Sequence, residues 1–339
     1  MDRGSHGRHT TARMTELERA IRSQPAELKQ LVGRDLTSTA VRLRNSRRVW
    51  LVGSGSSQHV AELGALVFAD AGLDARSSGS QDFARSSVGP TADDAVIVIS
   101  HTGRTSFALA AREVAFSSGA EVLSITGVGA GWPEAIETVA REKSETYTAS
   151  VTAALVVIFR IAHDLGAVGL ARSDVESAVE RVRSIVEQSP VPEFELPDRA
   201  VVLAGSGAGA VSAREGALKL REAAHVLAEG YGAEQLLHGH AVPLGRGDAL
   251  LLIGRASDSD GLLTALGEAA RGEGLAVASM DEPSIEHPIL AQLPIIVRLQ
   301  VLALSFSSTR STNPDKAIAG HWADQAMWAI GRPSEAGPV

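Results

Sequence analysis

Two stretches decide the fold: VWLVGSGSS at residues 49–57 and VVLAGSGAG at residues 201–209. In each, an apolar strand leads into Gly-Ser-Gly, and a segment with helical spacing follows. Short apolar runs and amphipathic segments then alternate, which is typical of parallel strands wrapped by helices. The sequence therefore predicts an α/β protein of two similar domains, each a doubly wound parallel sheet flanked by helices. The predicted strands are 47–53, 94–100, 120–126, 199–207, 248–254, 274–280 and 294–299.

An amphipathic segment at 173–189 separates the two copies and leads into PVPEFELPD at 190–198. Prolines and acids of this kind are typical of an interdomain linker. The residues before Met14 are polar and aperiodic, which favours disorder. The predicted organisation is a disordered extension at 1–13, an N-terminal helix plus first domain at 14–185, a linker at 186–198, a second domain at 199–332 and a tail at 333–339.

Composition excludes several classes of function. The 339 residues contain no cysteine, which excludes disulfides, thiolate nucleophiles and Cys-ligated metals, and no metal site is predicted. The net charge of −8 is spread along the chain without a basic block, so nucleic acid is not expected as a partner. The longest apolar run, Ala153–Arg160, is too short to span a bilayer. We therefore expect a cytoplasmic protein without a membrane partner.

Two polar loops follow predicted strands of the first domain. The first contains Ser54, Ser56 and Ser57, and the second contains Ser100, His101, Thr102 and Thr105. Because ligands bind outside the carboxyl ends of strands in doubly wound sheets, both loops can line one crevice. Hydroxyls, small residues and a helix N-terminus suit a phosphate. The same residues also suit ordinary turns and helix caps, so that alternative stays open.

A dinucleotide site is the alternative suggested by the second copy. Residues 205–210 read GSGAGA and satisfy the G-x-G-x-x-A pattern, which is a weak signal alone. The acid that binds ribose should end the next strand, but we predict a helix from Ala213 to Ala228 and no strand before Glu229. No cofactor is therefore predicted.

A third group of residues lies beyond this turn, in EGALKLRE at 215–222 and QLLHGH at 235–240. Glu215 and Glu222 are two helical turns apart, about 10 Å, with Lys219 between them on the same face. A carboxylate beside a lysine and a loop histidine could move protons on a carbonyl sugar. Spacing alone favours a solvated, salt-bridged helix face instead.

EGALKLRE, with AEGY at 228–231 and LLHG at 236–239, resembles the signature of the SIS (sugar isomerase) superfamily. The similar proteins are the isomerase domain of glucosamine-6-phosphate synthase and SIS-type glucosamine-6-phosphate deaminases and fructoselysine-phosphate deglycases. The resemblance extends from Met14 to about Asp315 and includes Ser-Gln-Pro at 23–25. It implies two tandem SIS domains. The first would bind a phosphorylated sugar or amino sugar through its loops (Ser57, Ser100, His101, Thr102, Thr105).

The resemblance also assigns the chemistry. Glu222 would be the base that moves a proton between C1 and C2, with Lys219 beside it. His238 would open the sugar ring, and it would come from the partner subunit of a homodimer with shared sites. A carboxylate whose pKa is raised towards neutrality can take a proton next to a carbonyl, so these roles are physically consistent.

The chain departs from the family pattern at three places. The second loop has Ser-His-Thr-Gly at 100–103 where Ser-Gln-Ser-Gly is usual, and the segment at 142–147 is several residues shorter. The tail lacks the lysine that reaches the substrate carbonyl, and Lys316 and His321 are the candidates to replace it. Trp322 and Trp328 either reshape the pocket or pack the tail down.

The sequence thus predicts a phosphosugar isomerase, or an isomerase or deaminase of amino-sugar phosphates. The alternative is a non-catalytic sensor or regulatory protein that binds sugar phosphates, which the missing lysine and short segment favour. Retention of Glu222 and His238 speaks against a sensor, because binding alone needs no base. A nucleotide-dependent oxidoreductase is the third possibility and is not expected.

Overall fold

The computed structural model describes residues 14–188, 195–254 and 258–333. Residues 14–188 contain α1 (Glu16–Val32), α2 (Thr37–Arg44), β1 (Val49–Gly53), α3 (Ser56–Asp70), β2 (Ala75–Gly79), α4 (Ser80–Arg85), β3 (Ala95–Ile99), α5 (Ser106–Ser117), β4 (Glu121–Thr126), β5 (Ala135–Glu137), α6 (Ala149–Leu165) and α7 (Arg172–Gln188). The later residues contain β6 (Ala200–Gly205), α8 (Ala208–Ala224), β7 (Leu227–Gly232), α9 (Ala233–Gln235), β8 (Ala249–Ile253), α10 (Leu262–Gly272), β9 (Ala276–Met280), α11 (Gln292–Arg310) and α12 (Gln325–Ala329).

The strands form two parallel sheets with the orders β2-β1-β3-β4-β5 and β7-β6-β8-β9. In each sheet the second strand lies on one side of the first strand, β1 or β6, and the later strands lie on the other side. The strand order therefore reverses direction between β1 and β3 and between β6 and β8, and ligands bind at such reversal points in this architecture. Every residue of β3 and of β8 is buried, because helices cover both faces of each sheet. The predicted α/β class with two parallel, helix-flanked sheets is confirmed.

One continuous apolar core contains residues from both halves of the chain, among them Phe159 of α6 and Leu299 of α11. Helix α11 packs on α8 and α7, and α3 of the first half also contacts α8 of the second. The contact between α3 and α8 brings the first sheet's ligand crevice beside a helix of the second sheet.

Two predicted elements are wrong. The expected strand at 294–299 lies inside the 19-residue helix α11, because a fully buried apolar run has no periodicity that separates strand from helix. The expected helix over 213–228 ends at Ala224, where His225 adopts a left-handed conformation (φ 52°), and Glu229 lies in strand β7. A strand therefore does follow the helix and contain Glu229, so the absence of a strand does not exclude a dinucleotide. In β7, Glu229 accepts a hydrogen bond from Tyr231 and pairs with Arg221.

The predicted domain limits fall partly outside the described chain. This applies to the extension 1–13, to residues 189–194 of the linker and to all of the tail except Pro333. Where the structure can be compared, α7 continues to Gln188, so the first three residues of the predicted linker are helical.

Candidate functional site

A cavity of about 900 Å³ opens at the carboxyl ends of β1 and β3, the reversal point of the first sheet. Its walls come from the two polar loops, from the segment between β5 and α6, from the chain after α11 and from one residue of α8, Glu222. The polar and charged lining residues are Ser54, Ser56, Ser57, Ser100, His101, Thr102, Arg104, Thr105, Thr126, Thr138, Arg141, Glu145, Tyr147, Ser150, Glu222, Gln325 and Arg332. All seven residues predicted from the two loops are among them.

The turn after β1 depends on two glycines. A Cβ on Gly53 would lie 2.3 Å from the backbone oxygen of Ser57, and Gly55 has a positive φ of 57°. This turn lets α3 begin at once and brings the three serines to the cavity. The Ser56 hydroxyl donates to Glu215 Oε1 at 3.0 Å, so it is already engaged. The hydroxyls of Ser54 and Ser57 are the ones left to meet a ligand.

The loop after β3 offers hydroxyls from Ser100, Thr102 and Thr105. His101 contributes differently. Its Nε2 accepts a hydrogen bond from the backbone N–H of Glu142 at 3.2 Å, while its Nδ1 is buried and has no partner among the described residues. Burial lowers the pKa of His101, which favours the neutral ring. In a neutral ring whose Nε2 accepts a hydrogen bond, the proton is on Nδ1, and that N–H has no partner within the described residues.

Helix α8 carries a buried chain of charges into the same site. Lys219 Nζ lies 2.5 Å from Glu222 Oε2 and 3.6 Å from Glu215 Oε1, and it donates to the carbonyl of Tyr147 at 2.9 Å. The side chains of Lys219 and Glu215 are 1% and 0% exposed, whereas that of Glu222 is 21% exposed. Only Glu222 faces the cavity.

The pKa values of the two carboxyl groups, Glu215 and Glu222, are shifted in opposite directions. Burial raises the pKa of Glu222 and outweighs the opposing charge of Lys219. Burial also acts to raise the pKa of Glu215, but the Lys219 charge and the hydrogen bonds from His59 and Ser56 lower it overall. Burial acts to lower the pKa of Lys219, and the two glutamates raise it overall. At neutral pH the lysine is charged, Glu215 is its permanent counterion, and Glu222 is the carboxyl closest to exchanging a proton.

Sequence reasoning missed His59, whose Nδ1 lies 2.7 Å from Glu215 Oε2. It stands one turn into α3, so the helix that follows the serine turn also supports the acid chain of α8. Tyr147 was also missed; it packs edge-on against His101 with ring centroids 5.5 Å apart. Both contacts join residues distant in sequence, and no local pattern signals them.

His238 is not brought to the cavity. It lies in the segment Leu236–His240, where its own backbone angles are not helical (φ −80°, ψ 50°), its side chain is 69% exposed, and its Nε2 is 3.7 Å from Glu234. It is absent from the cavity wall. Within one chain, therefore, the structure brings Glu222 together with the polar loops and leaves His238 on the surface.

The chain after α11 folds over the cavity. Asp315 anchors it, because its carboxylate accepts from the N–H groups of Glu16 and Leu17 at the start of α1. Farther on, the Ser106 hydroxyl donates to the carbonyl of Trp328 at 2.6 Å, and Trp328 lines the cavity. The two tail candidates, Lys316 and His321, are exposed and do not line it. Lys316 faces Glu145 instead, at 3.9 Å.

In residues 14–188, 195–254 and 258–333, no group of three or more His, Asp or Glu side chains is placed to hold a metal ion. None of the helices in those ranges has the length and apolar character needed to cross a membrane.

Comparison with known sequences gives one family. Residues 42–158 match the family model described as the SIS domain. The chain is 30% identical over 250 residues to the glutamine–fructose-6-phosphate aminotransferase [isomerizing] of Pyrococcus horikoshii, covering 65% of this chain and 42% of that one. It is 26% identical over 311 residues to the enzyme of the same name from Chlorobaculum tepidum, covering 81% and 50%. The chain thus spans about half the length of these relatives.

Comparison with solved structures gives the same fold. The tagatose-6-phosphate ketose/aldose isomerase of Escherichia coli superposes with a TM-score of 0.76 at 18% identity, covering 91% of this chain and 98% of that one. The C-terminal domain of the glucosamine-fructose-6-phosphate aminotransferase of Francisella tularensis superposes with a TM-score of 0.74 at 17% identity, covering 90% and 99%. At these identities the likeness concerns the fold.

Proposed function

Because the chain contains an SIS domain at residues 42–158, we propose that it is an isomerase of a sugar phosphate, or an isomerase or deaminase of an amino-sugar phosphate. The observation that carries the proposal is that Glu222, with its raised pKa, faces the same cavity as the hydroxyls of the two loops. The names of the relatives add support, since they specify fructose 6-phosphate and tagatose 6-phosphate.

In the proposed mechanism the phosphate lies against the N-terminus of α3 and the hydroxyls of Ser57, Ser100, Thr102 and Thr105. Glu222 takes the proton from the carbon next to the carbonyl, giving an enediolate, and returns it to the former carbonyl carbon, while the proton of the neighbouring hydroxyl passes to the former carbonyl oxygen. Lys219 keeps its own proton, limits how far burial raises the pKa of Glu222, and stabilises the carboxylate between turnovers. Carbonyl and hydroxyl thereby exchange places with no net change in atoms.

The second sheet would be a second SIS domain and the active form a homodimer. The repeat of the strand–Gly-Ser-Gly–helix unit at β6–α8 supports the tandem arrangement. The exposed position of His238 outside its own cavity supports its action in the cavity of a partner subunit. In that role it would protonate the ring oxygen of the closed sugar.

Glu222→Gln tests the base. Proton exchange at C1 or C2 of fructose 6-phosphate and glucosamine 6-phosphate is followed by NMR in deuterated water. Loss of a general base should slow exchange by about 10²–10⁴-fold while ligand binding persists. In the unchanged protein the exchange rate should fall at low pH as Glu222 becomes protonated, and this fall should begin at a pH above the usual range for glutamate. The variant should not show this dependence on pH. Glu229→Gln, in β7, is the matched control and should keep full exchange. Full activity in Glu222→Gln would refute the mechanism.

Mixing subunits tests the shared site. Glu222→Gln and His238→Ala chains, each inactive alone, should regain about a quarter of the activity when co-expressed, because half of the random dimers hold one intact site. No recovery, with mixed dimers demonstrated by differential tags, would place the whole reaction within one chain.

A non-catalytic sugar-phosphate sensor is the second candidate. The observation that favours it is that no lysine lines the cavity in the described part of the chain, and that Lys316 is directed at Glu145 instead. The same exchange experiment decides: a sensor binds the sugar phosphates without exchanging any proton.

A further inference from the structure

The carboxylate of Glu142 holds the short segment that leads from β5 into α6. It accepts hydrogen bonds from the N–H groups of Thr148, Ala149 and Ser150 at 2.8–3.2 Å, and from the Thr148 hydroxyl at 3.0 Å. These N–H groups have no partner within the helix that they begin. Thr148 stands at the N-cap position, where a threonine usually accepts from the backbone itself, but its side chain makes no such bond. A residue six positions earlier therefore caps the helix, and in doing so it fixes the segment between Glu142 and Thr148.

The segment held in this way supplies an acceptor to the buried lysine of α8. An ammonium group has three protons to donate. The oxygen atoms around Lys219 Nζ are Glu222 Oε2 at 2.5 Å, the Tyr147 carbonyl at 2.9 Å and Glu215 Oε1 at 3.6 Å. Of these three, only the Tyr147 carbonyl comes from outside α8. Because Tyr147 immediately precedes the N–H groups that Glu142 binds, the Glu142 carboxylate sets the position of that carbonyl.

The start of α6 is also held from another side. The Thr148 carbonyl accepts from Gln300 Nε2 of α11 at 3.3 Å, and the Gln300 side chain accepts from Gln24 of α1 at 2.8 Å. All three residues are 0% exposed. The helix is thus anchored independently of Glu142, so loss of the carboxylate should release the segment before α6 rather than α6 itself.

The contact between Glu142 and the loop after β3 is of a different kind. The bond to His101 Nε2 comes from the backbone N–H of Glu142 and does not involve its side chain. Glu142 is not among the residues that line the cavity. A substitution at Glu142 therefore keeps the N–H that supports His101 and removes only the carboxylate.

Resting on the proposed isomerase function, we propose that Glu142 is a positioning residue for proton transfer by Glu222. It acts through the Tyr147 carbonyl, which fixes Lys219 against the Glu222 carboxylate. Without the Glu142 carboxylate, Lys219 loses its one fixed acceptor outside α8 and stabilises ionised Glu222 less well. Binding of the phosphate depends on the polar loops and stays as it was.

The kinetics of proton exchange on fructose 6-phosphate test this role. In Glu142→Ala, kcat should fall about 10–100-fold, the effect expected of a small displacement of catalytic groups, while KM stays nearly unchanged. Glu142→Gln should retain part of the rate, because its amide keeps one acceptor oxygen. Asp174→Asn is the matched control. The Asp174 carboxylate also accepts from a backbone N–H, that of Ala171 just before α7, but no residue of α7 lines the cavity, so kcat should not change.

The pH dependence of exchange separates positioning from a simple effect of charge. The Lys219 charge lowers the pKa of Glu222, so displacement of Lys219 lets that pKa rise further. The fall in exchange rate at low pH should therefore begin at a higher pH in Glu142→Ala. Loss of the Glu142 charge alone would act in the opposite direction, because removal of a negative charge favours ionised Glu222. The other ionisable groups around Glu222 and its cavity all remain in the variant: Glu215 of α8, His59 of α3, His101 and Arg104 of the loop after β3, Arg141, Glu145 and Tyr147 before α6, and Arg332 after α11.

Other outcomes would show that Glu142 is not a positioning residue. A raised KM with kcat unchanged would mean that Glu142 supports ligand binding. A fall in kcat that only follows the folded fraction in denaturant unfolding, or a low-pH fall that begins at the same or a lower pH, would leave Glu142 as a structural cap. If Glu142→Ala does not fold, Glu142→Gln provides the same test with a smaller decrease. In all these cases the unchanged protein still exchanges protons and the proposed function stands; if it exchanges none, both proposals fail together.

Discussion

The turns after β1 and after β6 have the same backbone and different side chains. Gly55 and Gly207 have φ values of 57° and 53°, and a Cβ on Gly53 or on Gly205 would lie 2.3 or 2.4 Å from a backbone atom of the following helix. Ser54-Gly-Ser-Ser in the first turn corresponds to Ser206-Gly-Ala-Gly in the second. The glycines are thus required by the fold, whereas the hydroxyls of Ser56 and Ser57 are replaced by Ala208 and Gly209 in the second copy.

The two turns also differ in what their helices do. The helix after the first turn supplies Ser56 and His59 to the Glu215 carboxylate. The helix after the second turn, α8, supplies Glu215 itself, together with Lys219 and Glu222. One copy therefore provides the hydroxyls for the ligand and the other provides the charges, and the two are joined at Glu215.

Breaking this junction should have the largest effect on stability. Lys219→Met leaves Glu215 buried without its cation, and removal of one member of a buried ion pair costs about 3–5 kcal/mol in free energy of unfolding. Denaturant unfolding measures it. Lys219→Met combined with Glu215→Leu should recover part of the loss, because both charges are then gone.

The control for this comparison is Arg172→Met, which removes one member of the exposed pair with Glu176 on α7. Such pairs contribute about 0.5 kcal/mol or less. If Lys219→Met destabilised the protein no more than Arg172→Met does, the buried charges would not hold the two halves together.

The glycines come next. Alanine at Gly53 or at Gly205 places a methyl group against backbone that must move, so each should cost about 3 kcal/mol in free energy of unfolding. Only Gly53→Ala should also weaken binding of fructose 6-phosphate, because only that turn borders the cavity. Equal loss of affinity in the two variants would mean that both turns contribute to ligand binding.

The same contrast shows what the sequence could predict. The repeated strand and turn were readable because local patterning determines them, and the residues of both polar loops do reach one cavity. The helix–strand boundary at His225 was not, because β7 is partly exposed and is held by close packing of Gly230 on α8. His59 could not be found either, because its partner Glu215 lies far away in sequence and the two meet only through the packing of α3 on α8.

The smallest expected effect separates the side chains of the two turns. Ser57→Ala removes one hydroxyl from the cavity without altering the turn, and a hydrogen bond to a charged group is worth about 1.5 kcal/mol, or roughly tenfold in affinity. Ser206→Ala also removes one hydroxyl, from the second turn, where no ligand is expected, and should leave affinity and stability within about 0.5 kcal/mol. Calorimetric titration with fructose 6-phosphate compares them. A tenfold loss of affinity in Ser57→Ala alone would show that the hydroxyls of the first turn bind the ligand, since the glycine backbone is common to both turns. If neither variant lost affinity, the backbone N–H groups of α3 would be the phosphate's main partners.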